Sequence, residues 1–143
     1  MRIHQISVFL ENRSGQLAEI TRLLAEHGID IRAISIAESA DYGLARMIVS
    51  DAKLASDVLL QHGDILSMTP VWAVEVPDRP AGLAQLLAVL AGAHIDIEYM
   101  YSLFTHNAGK AYIVFKVHDT EKFTALLKSH DITPATTEEL GIH

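Results

Sequence analysis

The sequence predicts an α+β chain built as two successive βαββαβ modules, each an antiparallel sheet with helices on one face. An internal repeat, a shared order of periodicities and an ordinary globular composition carry that prediction. At a shift of 66 residues, Asn12-Arg13-Ser14-Gly15-Gln16-Leu17-Ala18 lies on Asp78-Arg79-Pro80-Ala81-Gly82-Leu83-Ala84, and Gly28-Ile29-Asp30-Ile31 lies on His94-Ile95-Asp96-Ile97. The overlay runs without a gap through Gly43/Gly109, Ala45/Ala111 and Met47-Ile48-Val49 on Ile113-Val114-Phe115. With one inserted residue, Val58-Leu59-Leu60 then meets Ala125-Leu126-Leu127 and Asp64-Ile65 meets Asp131-Ile132. Self-similarity at a fixed period outranks the single-domain expectation set by length. The expected modules are residues 1–68 and 69–143, joined near Met68 to Pro70.

Each element follows from a local pattern. Alternation in Ile6-Ser7-Val8-Phe9 and in Val71-Trp72-Ala73-Val74-Glu75-Val76 reads as strand, and each is followed by a segment rich in turn-forming residues. Leu17, Ile20 and Leu24, and in the second copy Leu83, Leu86, Leu87 and Leu90, recur at helical spacing. Gly28 follows the first helix as a C-terminal glycine. Ile31 to Ile36 reads as strand, as does Leu44 to Val49, which is rich in branched and large apolar residues. Lys53 to His62 is the second helix, and a short strand near Leu66 to Met68 closes the unit. This order is the ferredoxin-like split βαβ arrangement, twice.

The turn-helix segments Asn12-Arg13-Ser14-Gly15-Gln16-Leu17 and Asp78-Arg79-Pro80-Ala81-Gly82-Leu83, each followed by Gly-Ile-Asp-Ile or His-Ile-Asp-Ile, resemble the ACT domain, whose loop commonly reads Asp/Asn-x-Pro-Gly-x-Leu. The resemblance spans essentially the whole chain as a tandem pair with no enzyme attached. It implies a regulatory module that binds a small molecule, usually an amino acid, at interfaces between modules. The chain departs from the pattern at Ser14, where Pro is usual, and at Ala81, where Gly is usual. The two turns therefore need not bind equally.

Apart from the resemblance, each turn leads into a helix N-terminus, where unpaired N–H groups and the helix dipole favour a carboxylate. Gly15 and Gly82 permit close approach to backbone, and main-chain N–H groups near Gly15, Gln16, Gly82 and Leu83 are the expected donors. Asn12 and Asp78 offer acceptors to an ammonium group, or else cap the helices. Arg13 and Arg79 match across the copies as possible carboxylate clamps. Ser35 and Tyr101 lie on one side of the third element of each copy and are assigned to the pocket wall. With Leu17 and Ala81 of the turns, these complete the candidate ligand-binding set.

Other chemistries find little support. His4, His27, His62, His94, His106, His118, His130 and His143 form no HxH or HxxxH pair and recur at no common place in the overlay, so no metal site is expected. With no cysteine, GxSxG or GxxxxGK motif, neither an enzyme nor a cofactor is expected. Eleven basic against eighteen acidic residues argues against nucleic acid. The longest low-polarity stretch, Ala81 to Ala93, falls short of the ~20 residues a spanning helix needs, and the N-terminus lacks an apolar signal core. A cytoplasmic protein is expected, acting as an amino-acid-binding regulator or, alternatively, as a ligand-free pair that binds a partner enzyme. The stretch Leu83 to Ala93 is apolar almost all round, whereas the first copy carries Glu19, Arg22 and Glu26 there. Such a helix predicts packing against another module, most simply in a homodimer.

Overall fold

The computed structural model describes residues 2–11, 15–38, 41–104 and 107–143. Asn12, Arg13 and Ser14 of the expected site lie outside the described residues. The elements are β1 (Arg2–Glu11), α1 (Gln16–Glu26), β2 (Ile31–Glu38), β3 (Tyr42–Val49), α2 (Ala52–Gln61), β4 (Leu66–Pro77), α3 (Gly82–Gly92), β5 (Ile97–Ser102), β6 (Lys110–Val117), α4 (Thr120–Ser129) and the short α5 (Thr137–Leu140). Among the described residues no helix is long and apolar enough to cross a membrane.

The chain divides into two compact units, the first holding His4–Pro70 with Gly141–His143, the second Val71–Leu140 with Arg2 and Ile3. In the first, the strands run in the order β2-β3-β1-β4. β3 pairs antiparallel with both β1 and β2, setting Ile6 and Ile34 opposite Met47. Alternate residues Ile6, Val8, Ala45, Met47 and Val49 turn to one face and bury Ile20, Leu24, Ala55 and Leu59 of the two helices. The C-terminal residues return to this unit. The His143 main-chain N–H donates to the Ser50 carbonyl at 2.6 Å, and Gly141, at φ +68°, lies against the Arg32 guanidinium.

The second unit repeats the plan with order β4-β6-β5 and a core of Val74, Val76, Ile113, Phe115 and Val117 under Leu86, Leu90, Phe123 and Leu127. Its closing strand is reduced to a bridge between Val74 and Pro134, followed by one bond from the Ala135 N–H to the Ala73 carbonyl at 2.8 Å. Proline has no N–H to donate, so the ladder stops there.

Two sequence expectations change. The strand closing the first copy and the one opening the second are a single element, β4, because Thr69 precedes a proline and so favours extended backbone, carrying the strand across the join. The overlay of the copies also slips by two residues from β3 onward. Met47 faces Ile6 and Phe115 faces Trp72, so the equivalent positions differ by 68, and the extra residues fall between β5 and β6. A shift of two leaves every side chain on its own face of the sheet, so apolar patterning could not detect it. The second helices follow the same offset. Asp51 caps α2 and Asp119 caps α4, each accepting a first-turn N–H at 3.0 Å, and His62 and His130 stand at the two C-caps.

Candidate functional site

The first helix of each unit starts differently from the second. Gly15 and Ala81 precede α1 and α3, and among the described residues no side chain caps either helix, in contrast to Asp-capped α2 and α4. Gly15 adopts φ +87°, which suits glycine and few other residues. The Gly82 N–H is taken by the Arg79 carbonyl at 2.9 Å, and Gln85 makes the first intrahelical bond, to Ala81. Leu83 and Ala84 therefore supply the first-turn donors of α3.

Beside each helix start is a cleft, and the corrected register makes the two clefts equivalent. In the first unit it is lined by Phe9, Glu11, Gln16, His62, Gly63, Asp64 and Ile65 and holds about 110 Å³. In the second it is lined by Glu75, Val76, Pro77, Gly82, Gln85, Leu86, Val89, His130 and Ile132 and holds about 270 Å³. Phe9/Glu75, Glu11/Pro77, Gln16/Gly82, His62/His130 and Asp64/Ile132 correspond. The sequence overlay missed the histidine pair because it set His62 one residue out of step. The two aspartate caps, 68 residues apart, were the signal that would have found it.

The clefts differ in contents. Gln16 is buried; its Oε1 accepts from the Glu11 N–H at 2.7 Å and its Nε2 donates to the Phe9 carbonyl at 3.4 Å, so the side chain occupies the space between strand and helix. His62 Nδ1 lies 2.8 Å from Asp64 and Nε2 lies 3.6 Å from Glu19. The Asp64 hydrogen bond, helped by both negative charges, raises the His62 pKa above its ordinary 6.5. In the second unit Gln85 replaces Glu19 and Ile132 replaces Asp64. Gly82 is obligatory, since a Cβ there would lie 2.0 Å from the Pro77 carbonyl oxygen.

Of the expected site residues, Gln16 and Gly82 form cleft walls. Asp78, Arg79 and Ala81 are exposed on the second turn; the Asp78 N–H donates to Gly109 O at 2.9 Å, and Arg79 Nη2 reaches Gln85 Oε1 at 3.4 Å on the cleft rim. Leu17 and Leu83 pack against their unit's core. Ser35, opposite Arg46 on β2, and Tyr101, stacked on Tyr99 on β5, line neither cleft. Among the described residues no group of three or more His, Cys, Asp or Glu side chains is placed to hold a metal ion.

The chain is a tandem of two small α+β modules, each with a cleft beside the start of its first helix. The chain belongs to the family described as the ACT domain pair, which matches residues 1–140. Protein BT0572 from Bacteroides thetaiotaomicron is 35% identical with a TM-score of 0.89, over 99% of this chain and 96% of that one. The regulatory subunit of aspartate kinase from Thermus thermophilus, in its ligand-free form, is 18% identical with a TM-score of 0.65 over 90% of each chain. The corresponding subunit from Thermus flavus is 17% identical with a TM-score of 0.56, over 92% of this chain and 93% of that one. The two aspartate kinase likenesses establish shared fold alone. A comparison with curated proteins gave no match.

Proposed function

We propose that this ACT domain pair is a regulatory protein that binds a free amino acid at its first strand-helix turns and has no catalytic activity of its own. The observation that carries this reading is the contrast in capping: Asp51 and Asp119 satisfy the starts of α2 and α4, while among the described residues no side chain caps α1 or α3. Uncapped first-turn N–H groups favour a carboxylate, and at the second turn Asp78 offers an acceptor for the adjoining ammonium. Those are the two charges of a free amino acid.

Regulation is linkage: a ligand that binds one arrangement of the protein better than another shifts the population, and a partner enzyme reads the shift. The regulatory subunits of aspartate kinase, which share the fold, support that role. A homodimer is part of the proposal. The outer face of α3 leaves Ala84, Ala88 and Ala91 exposed, and burial against a second copy would cover them. A thermal-shift panel of the proteinogenic amino acids tests the binding. A ligand present at 100 times its dissociation constant adds about 2.7 kcal/mol of stability. A panel in which no amino acid raises the melting temperature refutes the reading and favours a ligand-free interaction pair.

A further inference from the structure

We infer that each chain carries one amino-acid site, at the second turn, and that the cleft beneath it selects a branched aliphatic side chain. The inference rests on the reading of the turns as amino-acid sites and adds which turn binds and what side chain it takes. The two equivalent clefts decide the first point. At the first, Gln16 is buried and its amide bonds twice to the backbone of β1, leaving about 110 Å³ beside the polar Glu19, His62 and Asp64 group. At the second, the same position is Gly82, the Pro77 carbonyl lies directly against it, and the neighbouring cleft holds about 270 Å³. An apolar cavity of roughly 150 Å³ accommodates a six-carbon molecule, so only the second cleft has room for a four-carbon side chain with part of its backbone.

The walls decide the second point. Val76, Leu86, Val89 and Ile132 form the apolar lining, with Gly82 at the end nearest the helix start. The charge on the wall is already matched, since Glu75 pairs with Lys110 at 3.0 Å, and the Gln85 amide receives Arg79 on the rim. Set against Val76, Leu86, Val89 and Ile132, a charged ligand side chain would lose its water and meet His130 as the remaining polar wall residue, whereas an aliphatic one gains burial for each methylene. The head group stays at the turn, with carboxylate toward the Leu83 and Ala84 N–H groups and ammonium toward Asp78.

Calorimetric titration of the full chain with L-leucine, L-valine, L-alanine, L-aspartate and L-lysine tests the inference. The expected result is one ligand per chain, with leucine or valine bound at least about tenfold more tightly than alanine and than either charged amino acid. Val89→Trp, which fills the cleft from a half-buried helix position, should weaken leucine at least about tenfold while alanine changes little. Val89→Ala, which enlarges the cleft, should move the preference from valine toward L-phenylalanine, and it decides the matter if the tryptophan variant fails to fold. Two ligands per chain, aspartate or lysine bound as tightly as leucine, or a preference unmoved by the Val89 substitutions would overturn this inference and leave the turn reading standing. If none of the amino acids binds, the turn reading falls and takes this one with it.

Discussion

Asp78 separates a ligand-binding role from a structural one, because its two possible duties predict different measurements. α3 starts at Gly82, after Ala81, without a side-chain cap, and Asp78 is tied into the turn through its main-chain N–H to the Gly109 carbonyl, a bond that survives any substitution except proline. Replacing Asp78 by alanine should therefore change stability by no more than about 0.5 kcal/mol. Asp119→Ala deletes a true cap, the 3.0 Å bond to Lys122 N, and should cost about 1 kcal/mol. For a chain of this length that is a fall in melting temperature of about 4 °C. Affinity should move the other way round. A hydrogen bond from a bound ammonium to a carboxylate contributes about 1.5–3 kcal/mol, and to a neutral amide about 0.5–1.5 kcal/mol. On an exposed turn the lower ends apply, a difference of about 1 kcal/mol, so Asp78→Asn should weaken the best amino-acid ligand by roughly fivefold. Differential scanning fluorimetry of Asp78→Ala beside Asp119→Ala, and calorimetric titration of Asp78→Asn, supply both readouts. A melting temperature for Asp78→Ala as low as that of Asp119→Ala makes Asp78 a structural residue. An unchanged affinity in Asp78→Asn removes it from the ligand.

Further expectations follow from individual contacts. His62 titrates above 6.5 because of Asp64, so protonation adds stability that is fully present below pH 6.5 and is lost as pH rises through the raised value. NMR titration should place the His62 midpoint above 6.5 and show Asp64→Asn lowering it, and an unmoved midpoint contradicts the assigned cause. Gly82→Ala drives a Cβ to 2.0 Å from the Pro77 oxygen and should cost about 1–3 kcal/mol in denaturant unfolding. Gly15→Ala meets no neighbour within 4 Å and should lose only the price of a left-handed backbone, about 1–2 kcal/mol. Phe123→Ala empties a fully buried position ringed by Phe115 and Trp72 and should cost about 3–5 kcal/mol, a loss that thermal melting would register plainly. Ala88→Arg should reduce the mass seen by light scattering from twice 15.7 kDa to 15.7 kDa, and a wild type already at the lower mass rules out the homodimer.

Much of the fold is local and was legible without coordinates. The alternation of Ile6 and Val8, the helical spacing of Ile20 and Leu24, and the Gly28 stop each name an element from its own residues, and the repetition of these patterns 66 residues on names the architecture. The turn sequences pointed to Gln16 and Gly82, which line the clefts. What escaped depends on partners distant in the chain. A two-residue slip in aligning β3 with β6 preserves the in-and-out alternation, so only strand pairing against β1 and β4 exposed it, and with it the equivalence of His62 and His130. Nor does a turn motif say whether its helix is capped or its cleft filled. Gln16 and Gly82 stand at matching places in nearly matching segments, yet the Gln16 side chain bonds Glu11 and Phe9 while at Gly82 the Pro77 carbonyl lies too close for any side chain. Periodicity and turn chemistry act over a few residues and so are written in the sequence. Which polar group meets which, and what space remains, is decided only when strand and helix are brought together.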